Sequence, residues 1–499
     1  TTGYATSATV FGVNLNVTTN GFSDVYVSKS NSNGGYLWVK TFGGTSADRG
    51  LDIALDNSGN IYVTGYFNGT ATFDNITLTS LNNSQDIFVV KLDNAGNVIW
   101  AISEGGPLMD IGYAVEVDNL GNVIITGQFV GTAQIGSNIF NSTIDPNTNL
   151  PAFDMFVSKY DANGLNLWSI QGIAKYDDRG LALETDVNNN IYVTGQFSDT
   201  LTIAGSTYNN TIYNAGMLLK LDPLGNEIWF KRLGAFQTLV YDVELDSQGD
   251  VYITGDFLGN MAIIGSIGVS FLNGNYTYRI FLIKFDSAGE IIWMEEDDSQ
   301  SPISSKAVTI DSNDDVYLAG TFKCVFTEYA DTLGDGVFNS VGFNDVFITK
   351  YSKTSQRLWM RQYGGPFDDN CSGIAINLID NPVISGGYTS FFNMPIGVNF
   401  VPIPGVNFFP TNGASCLNSS YSTLKSHGNK DIFIGQPVDT SLTPYYYYIT
   451  QNCFNSEVPC LANNCPDSMT VCEKTNLVEK TKTSGNGEYF PNLPTPYNH

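Results

Sequence analysis

The six tryptophans of this 499-residue chain recur at nearly even intervals. Successive tryptophans stand 62, 68, 61, 64 and 66 residues apart, and the chain has no others. So few residues placed at random would not keep one period, and a fixed period is the signature of a repeat architecture. The sequence therefore predicts successive copies of one structural unit. The tryptophans are Trp38, Trp100, Trp168, Trp229, Trp293 and Trp359.

Residues 56–100 form one complete copy and show what the unit contains. Two short segments, DNSGN at 56–60 and DNAGN at 93–97, carry the Asp and Gly that favour tight turns. β-Branched and aromatic residues, which favour strands, dominate the sequence beside these turns. In a later copy Asn189 stands at the position of the turn glycine, and Asn also tolerates the left-handed backbone. The pattern predicts about four strands per unit.

Both halves of this unit recur along the chain. The first-half motif begins at Asp56, Asp118, Asp186, Asp246 and Asp311, with a degenerate copy at Asp380. The second-half motif recurs at Asp24, Asp86, Asp154, Gly216, Arg279, Asp345 and Asp431. Four strands per unit in radial repetition are typical of a β-propeller. We therefore predict an all-β propeller of seven four-stranded blades over residues 1–450, with an incomplete first blade and a long loop between the second and third strands of each blade.

The motif GN-x-Y-V-T-G-x-F, followed by D-x-F-V-x-K-x-D-x-x-G-x-x-W, resembles the SBBP repeat, named for the seven-bladed β-propeller. The resemblance covers roughly residues 1–450. It implies a propeller architecture. It implies no particular chemistry, because the family has no general catalytic motif to compare with this chain.

The composition disfavours several kinds of partner. The 49 Asp and Glu residues outnumber the 23 Lys and Arg residues, and the net charge of −26 disfavours nucleic acid and anionic lipid, which bind through Lys and Arg. No apolar run is long enough to predict a membrane span. His427 and His499 are the only histidines, which weakens every mechanism that needs a histidine base or ligand.

The seventh blade, residues 371–450, is predicted to be expanded by an insertion. No charged residue occurs between Asp380 and Lys425, and several prolines argue against a membrane helix there. The insertion either packs on its own propeller or presents an apolar surface to a protein or glycan partner, or to another copy of the chain. Its aromatic residues are Phe391, Phe392, Phe400, Phe408 and Phe409.

Residues 451–472 form a cysteine-rich stretch after the last repeat. Its spacing and the lack of nearby histidine favour a small disulfide-stapled cap over a metal site, with three connectivities open. Residues 473–499 are predicted to be extended, disordered or docked on a neighbour. Cys371 and Cys416 flank the insertion and form a further candidate pair. The four cysteines of the cap are Cys453, Cys460, Cys465 and Cys472.

Asn-x-Ser/Thr sequons are numerous, and several fall after the T-G-x-F strand, where glycans would be accessible. With the cysteines they favour an oxidising compartment and an extracellular glycoprotein at a cell or particle surface. The candidate glycosylation sites are Asn16, Asn68, Asn75, Asn82, Asn141, Asn209, Asn275, Asn370 and Asn418.

A carboxylate pair is the remaining catalytic possibility, as in glycoside hydrolysis. Asp48, Asp110, Asp178 and Asp369 precede the first strands of four blades and are candidates for one face of the ring; Arg49 and Arg179 follow two of them. Because a repeated position is more often a structural contact than an acid or base, we expect a loop role for them.

Calcium is the one cofactor for which candidates exist. Asp311, Asp314 and Asp315 offer the oxygen ligands that calcium prefers, although they also match the repeated turn. The lysines at the repeated position of the third strand indicate a recurrent ion pair or a snorkelling strand residue, and not a binding site.

These observations predict an extracellular, non-enzymatic propeller that serves as a structural, adhesion or surface-assembly module. The alternative is a carbohydrate-active enzyme or lectin that uses the ring-face aspartates.

Overall fold

The computed structural model describes an all-β protein, with one 3-10 turn at Leu81–Asn83. It divides into an N-terminal segment, Thr1–Asp298, and a C-terminal segment, Ser299–His499. The residues described are 1–5, 9–11, 15–17, 19–31, 35–210, 214–234, 237–265, 268–272, 278–298, 303–327, 337–364, 368–377, 380–388, 391–395, 398–399, 421–425, 431–437, 445–453 and 472–481.

The described strands of the N-terminal segment include five antiparallel sheets that follow one another along the chain. Sheet 1 contains Thr2–Ala5, Asp24–Ser30 and Tyr36–Gly44. Sheet 2 contains Arg49–Leu55, Ile61–Asn68, Gln85–Leu92 and Val98–Glu104. Sheet 3 contains Ile111–Val117, Val123–Val130, Phe153–Tyr160 and Asn166–Gln171. Sheet 4 contains Arg179–Thr185, Ile191–Phe197, Ala215–Leu221 and Glu227–Gly234. Sheet 5 contains Gln237–Leu245, Val251–Leu258, Tyr278–Phe285 and Ile291–Asp298.

The second strand of each complete sheet is buried on both faces. Ile61–Asn68 and Val123–Val130 consequently have a nearly continuous apolar sequence, as a strand covered on both sides requires. Thr64 lies within this core, and its hydroxyl donates to the carbonyl of Phe88 at 2.9 Å, so the polar group is satisfied. The neighbouring Gly65 leaves no room for a side chain, because an added Cβ would lie 1.9 Å from the carbonyl oxygen of Arg49. The glycine of the V-T-G motif is therefore required by close packing between strands.

The connection between the second and third strands is not simply a long loop. It contains a short β-hairpin, and in sheets 2, 4 and 5 one strand of that hairpin pairs with a strand from the preceding repeat. Each of these three hairpins thus ties its own sheet to the one before it. The hairpins are Thr9–Phe11 with Leu15–Val17, Thr70–Phe73 with Ile76–Thr79, Thr132–Ile135 with Asn138–Asn141, Thr200–Ile203 with Ser206–Asn209, and Met261–Gly265 with Gly268–Leu272. The strand Ile173–Ala174 pairs with Thr200–Ile203.

The recurring tryptophans join consecutive sheets. The indole N–H of each of the first four donates to a backbone carbonyl in the last turn of the next sheet, and each of these four rings lies over the glycine of that turn. Gly96 has φ +83°, and a Cβ there would lie 3.1 Å from the Trp38 ring. The turn glycine is thus required by its backbone conformation and by the ring above it. The donor–acceptor distances are 3.3 Å for Trp38–Asn94, 3.1 Å for Trp100–Ala162, 3.1 Å for Trp168–Pro223 and 3.2 Å for Trp229–Ser287.

The repeated lysines strengthen the same contact between consecutive sheets. Lys159 lies on the third strand of sheet 3, and its ammonium is 2.9 Å from the carboxylate of Asp118 in the first turn of its own sheet. The same ammonium donates to the carbonyl of Pro223, which also accepts the Trp168 indole N–H. The recurrent ion pair predicted from the sequence is present. Corresponding pairs in this segment are Lys91–Asp56, Lys220–Asp186 and Lys284–Asp246.

The C-terminal segment continues the pattern in its first part. One sheet contains Ile303–Ile310, Val316–Thr327, Val337–Tyr351 and Arg357–Tyr363. A second contains Asp369–Ile376, Pro382–Tyr388, Asp431–Pro437 and Val398–Asn399. Two further strand pairs are Phe391–Pro395 with Tyr421–Lys425 and Tyr445–Cys453 with Cys472–Thr481. The insertion therefore contributes strands of its own to this segment.

Replacing Trp168 by alanine should lower the free energy of unfolding by about 3 kcal/mol, because it removes a packed aromatic side chain. Trp168→Phe keeps much of the packing and loses the indole N–H, so it should cost about 1 kcal/mol. Leu167→Ala is the control, since Leu167 is 50% exposed on the same strand. Urea unfolding would measure the stability of all three variants. Equal effects of Trp168→Ala and Leu167→Ala would contradict the role of the tryptophan contact between sheets.

Candidate functional site

Three of the four aspartates predicted for the ring face lie at the junctions between sheets of the N-terminal segment. Asp48, Asp110 and Asp178 each precede the first strand of a sheet, and none is exposed. Asp48 accepts hydrogen bonds from the backbone N–H of Gly44 at 2.7 Å and of Asn68 at 3.0 Å. Asp110 accepts equivalent bonds from Gly106 and Val130, and Asp178 accepts from Ala174 and from Met155 of the preceding sheet. Both oxygens of each carboxylate therefore hold backbone together, as expected for a loop role.

A second aspartate lies beside each of these three. The backbone N–H groups of Asp48, Asp110 and Asp178 donate to the carbonyls of Ser23, Gln85 and Phe153, the residues that precede Asp24, Asp86 and Asp154. We call the resulting combinations the junction pairs: Asp24–Asp48, Asp86–Asp110 and Asp154–Asp178. In the first pair, the Cβ position of Gly43 would lie 2.6 Å from Oδ1 of Asp24 and 2.7 Å from Oδ2 of Asp48. Both oxygens therefore lie against the same glycine.

Burial and mutual repulsion disfavour the ionised form of the junction pairs. Burial, opposed by two backbone hydrogen bonds and assisted by Asp24, raises the pKa of Asp48 to about 6. Burial raises the pKa of Asp110 to about 7, with Asp86 adding to the shift. For Asp178, burial and the Asp154 carboxylate raise the pKa well above its ordinary value. Neutral or shared-proton carboxyls are thus favoured below neutral pH.

A polar cleft of about 330 Å³ opens beside the second junction pair. Its two carboxyl groups, on Asp86 and Glu104, come from neighbouring strands of sheet 2. Glu104 accepts from the Gly136 N–H at 2.6 Å and the Tyr160 hydroxyl at 3.0 Å, and burial raises its pKa to about 7. The cleft is lined by Thr79, Ser80, Leu81, Asp86, Ser103, Glu104, Gly105 and Gln134. Such a lining offers hydrogen-bond acceptors and hydroxyls to a small polar ligand.

A row of half-buried acids on the first strands is a feature that sequence reasoning missed. Glu116, Glu184 and Glu244 occupy the same register position in sheets 3, 4 and 5. Burial, together with Asp242 and Glu116, raises the pKa of Glu244 to about 8. Burial and Glu244 raise the pKa of Glu184 well above its ordinary value. The signal in the sequence was an acidic residue two positions before each turn aspartate, within an apolar strand.

The calcium candidates are part of the repeated turn. Oδ1 of Asp311 accepts the backbone N–H groups of Asn313 and Asp315, and Oδ2 lies 3.1 Å from the ammonium of Lys350. Asp314 has φ +65°, the backbone conformation of the turn glycine in other repeats. Within the described part of the chain, no group of three or more His, Cys, Asp or Glu side chains is arranged to hold a metal. Calcium binding at Asp311, Asp314 and Asp315 stays a prediction.

The fourth ring-face aspartate and the arginines have separate environments. Asp369 is buried in the C-terminal segment. The guanidinium of Arg49 lies over the Tyr4 ring, 4.2 Å from its centroid. The side chain of Arg179 faces the amide oxygen of Gln196 at 3.0 Å. Neither arginine forms an ion pair with an aspartate of a junction pair in the residues that the structure describes.

Four of the candidate sequons are exposed in or beside the interstrand hairpins: Asn75, Asn82, Asn141 and Asn209. Asn68 donates its side-chain N–H to the carbonyl of Ala47, and Asn370 is half-buried. Asn16 lies in a described strand, whereas Asn275 and Asn418 fall outside the described residues. Glycosylation itself stays a prediction.

The predicted partner surface is described only in part. Phe391 and Phe392 begin the strand Phe391–Pro395, which pairs with Tyr421–Lys425. Phe400, Phe408 and Phe409 fall outside the described residues.

Two of the four cap cysteines lie on paired strands. The backbone register of Tyr445–Cys453 and Cys472–Thr481 places Cys453 opposite Cys472. Cys460, Cys465 and Cys416 fall outside the described residues. Cys371 is buried, and burial raises the pKa of its thiol to about 12. Its pairing with Cys416 stays a prediction.

Comparisons with known proteins identify the repeat. Residues 37–70 match the SBBP family, a β-propeller repeat, which confirms the resemblance seen in the motif. The chain is 23% identical over 448 residues to an uncharacterized WD repeat-containing protein of Acanthamoeba polyphaga mimivirus, in an alignment covering 72% of this chain. The chain spans about a third of that relative, since 31% of it is covered.

A solved structure gives a weaker likeness. A protein of unknown function from Bacteroides caccae has a TM-score of 0.28 and 9% identity, covering 59% of this chain and 93% of that one. At this score the likeness does not define the fold. No helix among the described residues is long and apolar enough to cross a membrane.

The pKa of the half-buried glutamates predicts how stability depends on pH. A carboxyl whose pKa is raised on folding stabilises most below its unfolded pKa of about 4.3, and this contribution is lost as pH rises through the folded value. Glu184→Gln should therefore raise the unfolding temperature at pH 8 and have little effect at pH 4. Asp74→Asn, at an exposed acid, controls for net charge. Thermal unfolding followed by circular dichroism would measure the shift, and an equal shift at both pH values would contradict it.

The backbone register also predicts one disulfide. We expect Cys453 to pair with Cys472, which leaves Cys460 and Cys465 as the second pair. Peptide mapping of alkylated protein, with and without reductant, would identify the crosslinked peptides. A Cys453–Cys460 peptide, or four alkylated thiols in native material, would contradict this connectivity.

Proposed function

We propose that the chain is an extracellular, non-enzymatic β-propeller of seven four-stranded blades with a cysteine-rich C-terminal extension, and that it acts as a structural, adhesion or surface-assembly module. The observation that supports this proposal is the structural role of the aspartates predicted for the ring face. Asp48, Asp110 and Asp178 are buried and accept two backbone hydrogen bonds each, so they hold the scaffold together.

The charge of the molecule supports a binding role. A net charge of −26 on a chain with only 23 basic residues favours solubility and a cationic or neutral partner surface. A relative encoded by a virus makes a particle surface one of the locations to test. The apolar insertion at 384–431 and the tail are the parts that depart from the repeat, and they are the proposed contact region for a protein or glycan partner or a second copy.

Self-association gives a direct test of assembly. The strand Cys472–Thr481 pairs with Tyr445–Cys453, so the informative truncation removes only residues 482–499. We expect the truncated chain to keep its unfolding temperature and to lose association, measured by light scattering over a range of concentrations. A full-length chain that is monomeric at every concentration, or a truncated chain that associates normally, would reject this role of the tail. Images of the particle would count its blades.

A carbohydrate-binding or carbohydrate-cleaving role is the second candidate, and the cleft beside Asp86 favours it. Two carboxyl groups, hydroxyls and the Gln134 amide line one space, and a Glu104 pKa near 7 suits a general acid. In this proposal Glu104 supplies the proton, and Asp86 is the second carboxyl group.

A glycan screen separates the two candidates. Hydrolysis that falls by more than about 100-fold in Glu104→Gln, with the fold retained, would establish the enzyme and reject the first proposal. Binding without turnover, weakened by Gln134→Ala, would establish a lectin. Asp74→Asn is the control for surface charge, since Asp74 lies outside the cleft.

A further inference from the structure

The two members of a junction pair are kept or lost together along the repeat. The strand register identifies the positions equivalent to Asp24 and Asp48 at the other junctions. At three of those junctions both positions hold aspartate, and the last of the three is Asp345 with Asp369. At the other two junctions both aspartates are absent. The replacements are Ala215 with Thr238 and Arg279 with Ile303. A single capping carboxylate would not need a second acid, so the joint retention indicates that the two carboxyl groups work as one unit.

The hydrogen bonds make the two members unequal. Both oxygens of Asp48 accept backbone N–H groups, so neither oxygen can carry a proton without losing one of these bonds. Asp24 is 2% exposed, and its Oδ2 accepts the Asn20 N–H at 2.8 Å. Its Oδ1 is buried without a hydrogen-bond partner and lies, like Oδ2 of Asp48, against Gly43. Oδ1 of Asp24 is therefore the one position in the pair that is free to carry a hydrogen.

Few charged groups lie near the pairs to balance two negative charges. Arg49 stacks on Tyr4 beside the first pair, and Glu104 lines the cleft beside the second. Asp177 adds a further negative charge beside Asp154. Within the described part of the chain, no ion pair includes a member of these three junction pairs. Two buried carboxylates without a countercharge cannot both ionise at low cost.

We propose that the junction pair Asp24–Asp48 holds one proton between its two aspartates and forms an acid-dependent seam between sheets 1 and 2. The proton resides on Asp24, whose Oδ1 is the one oxygen of the pair without a hydrogen-bond partner. Loss of the proton leaves two neighbouring carboxylates and weakens the junction. The proton is released to solvent, and no other bond changes.

The sign of the pH effect follows from the pair's raised affinity for protons. The pair titrates as a unit, and its second ionisation is displaced upward in the folded chain. Its contribution to stability is therefore complete below pH 4 and is lost as the pH rises through about 6, the value to which the pKa of Asp48 is raised. The seam is strongest in mildly acidic solution.

Two substitutions within one pair give opposite expectations. Asp24→Asn places an N–H where the proton would lie and keeps an oxygen for Asn20, so it should raise the unfolding temperature at pH 8 and leave it nearly unchanged at pH 5. Asp48→Asn directs an amide N–H against a backbone N–H, so it should lower that temperature at both pH values. Asp74→Asn is the matched control for one lost charge.

Infrared spectroscopy supplies a readout that does not depend on stability. The carboxylic-acid C=O band of the folded protein should be present at pH 5, weaken at pH 8, and lose intensity in Asp24→Asn. The proposal is overturned if Asp24→Asn lowers stability equally at pH 5 and pH 8, because both carboxylates are then ionised in the working protein. It is also overturned if calcium chloride stabilises the parent chain at pH 8 and not Asp24→Asn, because the pair then holds a cation.

Discussion

The indole N–H to carbonyl bond between consecutive sheets is the interaction on which the rest of the described N-terminal segment depends. One carbonyl, that of Pro223, accepts both the Trp168 indole and the Lys159 ammonium. The same lysine binds Asp118 of its own sheet, so a single side chain links the turn of one repeat to the turn of the next. Because these donors are largely removed from water, a missing partner would leave a buried polar group unpaired. This contact between sheets therefore fixes both the spacing of the tryptophans and the composition of the turns.

Much of this fold could be predicted because its causes are local. The turn glycines and the β-branched strands are each determined by a few consecutive residues, and the tryptophan period is visible along the chain. The hairpins were not foreseen, since segments such as TATFDNITLT lie between two stronger strand signals and resemble an irregular connection. Pairing of Gly43 and Gly44 with Thr72 and Ala71 depends on contacts between different repeats, which the period of one unit does not reveal.

The acidic residues show where sequence reasoning reached its limit. The position of Asp48 before a strand was visible, and a structural role was expected for it. Its neighbour Asp24 belongs to a motif in the preceding repeat, so their proximity follows only from the backbone bond between Asp48 and Ser23. Glu184 and Glu244 stand within apolar strands of separate sheets. Their shared burial and repulsion depend on the distance between sheets, which no spacing along the chain encodes.

The hairpins make each sheet incomplete without its neighbour. A repeat supplies a tryptophan and a strand edge to the next repeat, and a turn carbonyl and a hairpin to the previous one. Donor and acceptor are thus carried by the same stretch of DNA, and duplication of that stretch yields a new copy that already fits on both sides. A gene of this kind can gain or lose whole repeats without new interfaces having to evolve. Its more divergent positions, such as Ala215 and Arg279, can then change within one copy while the neighbouring contacts are retained.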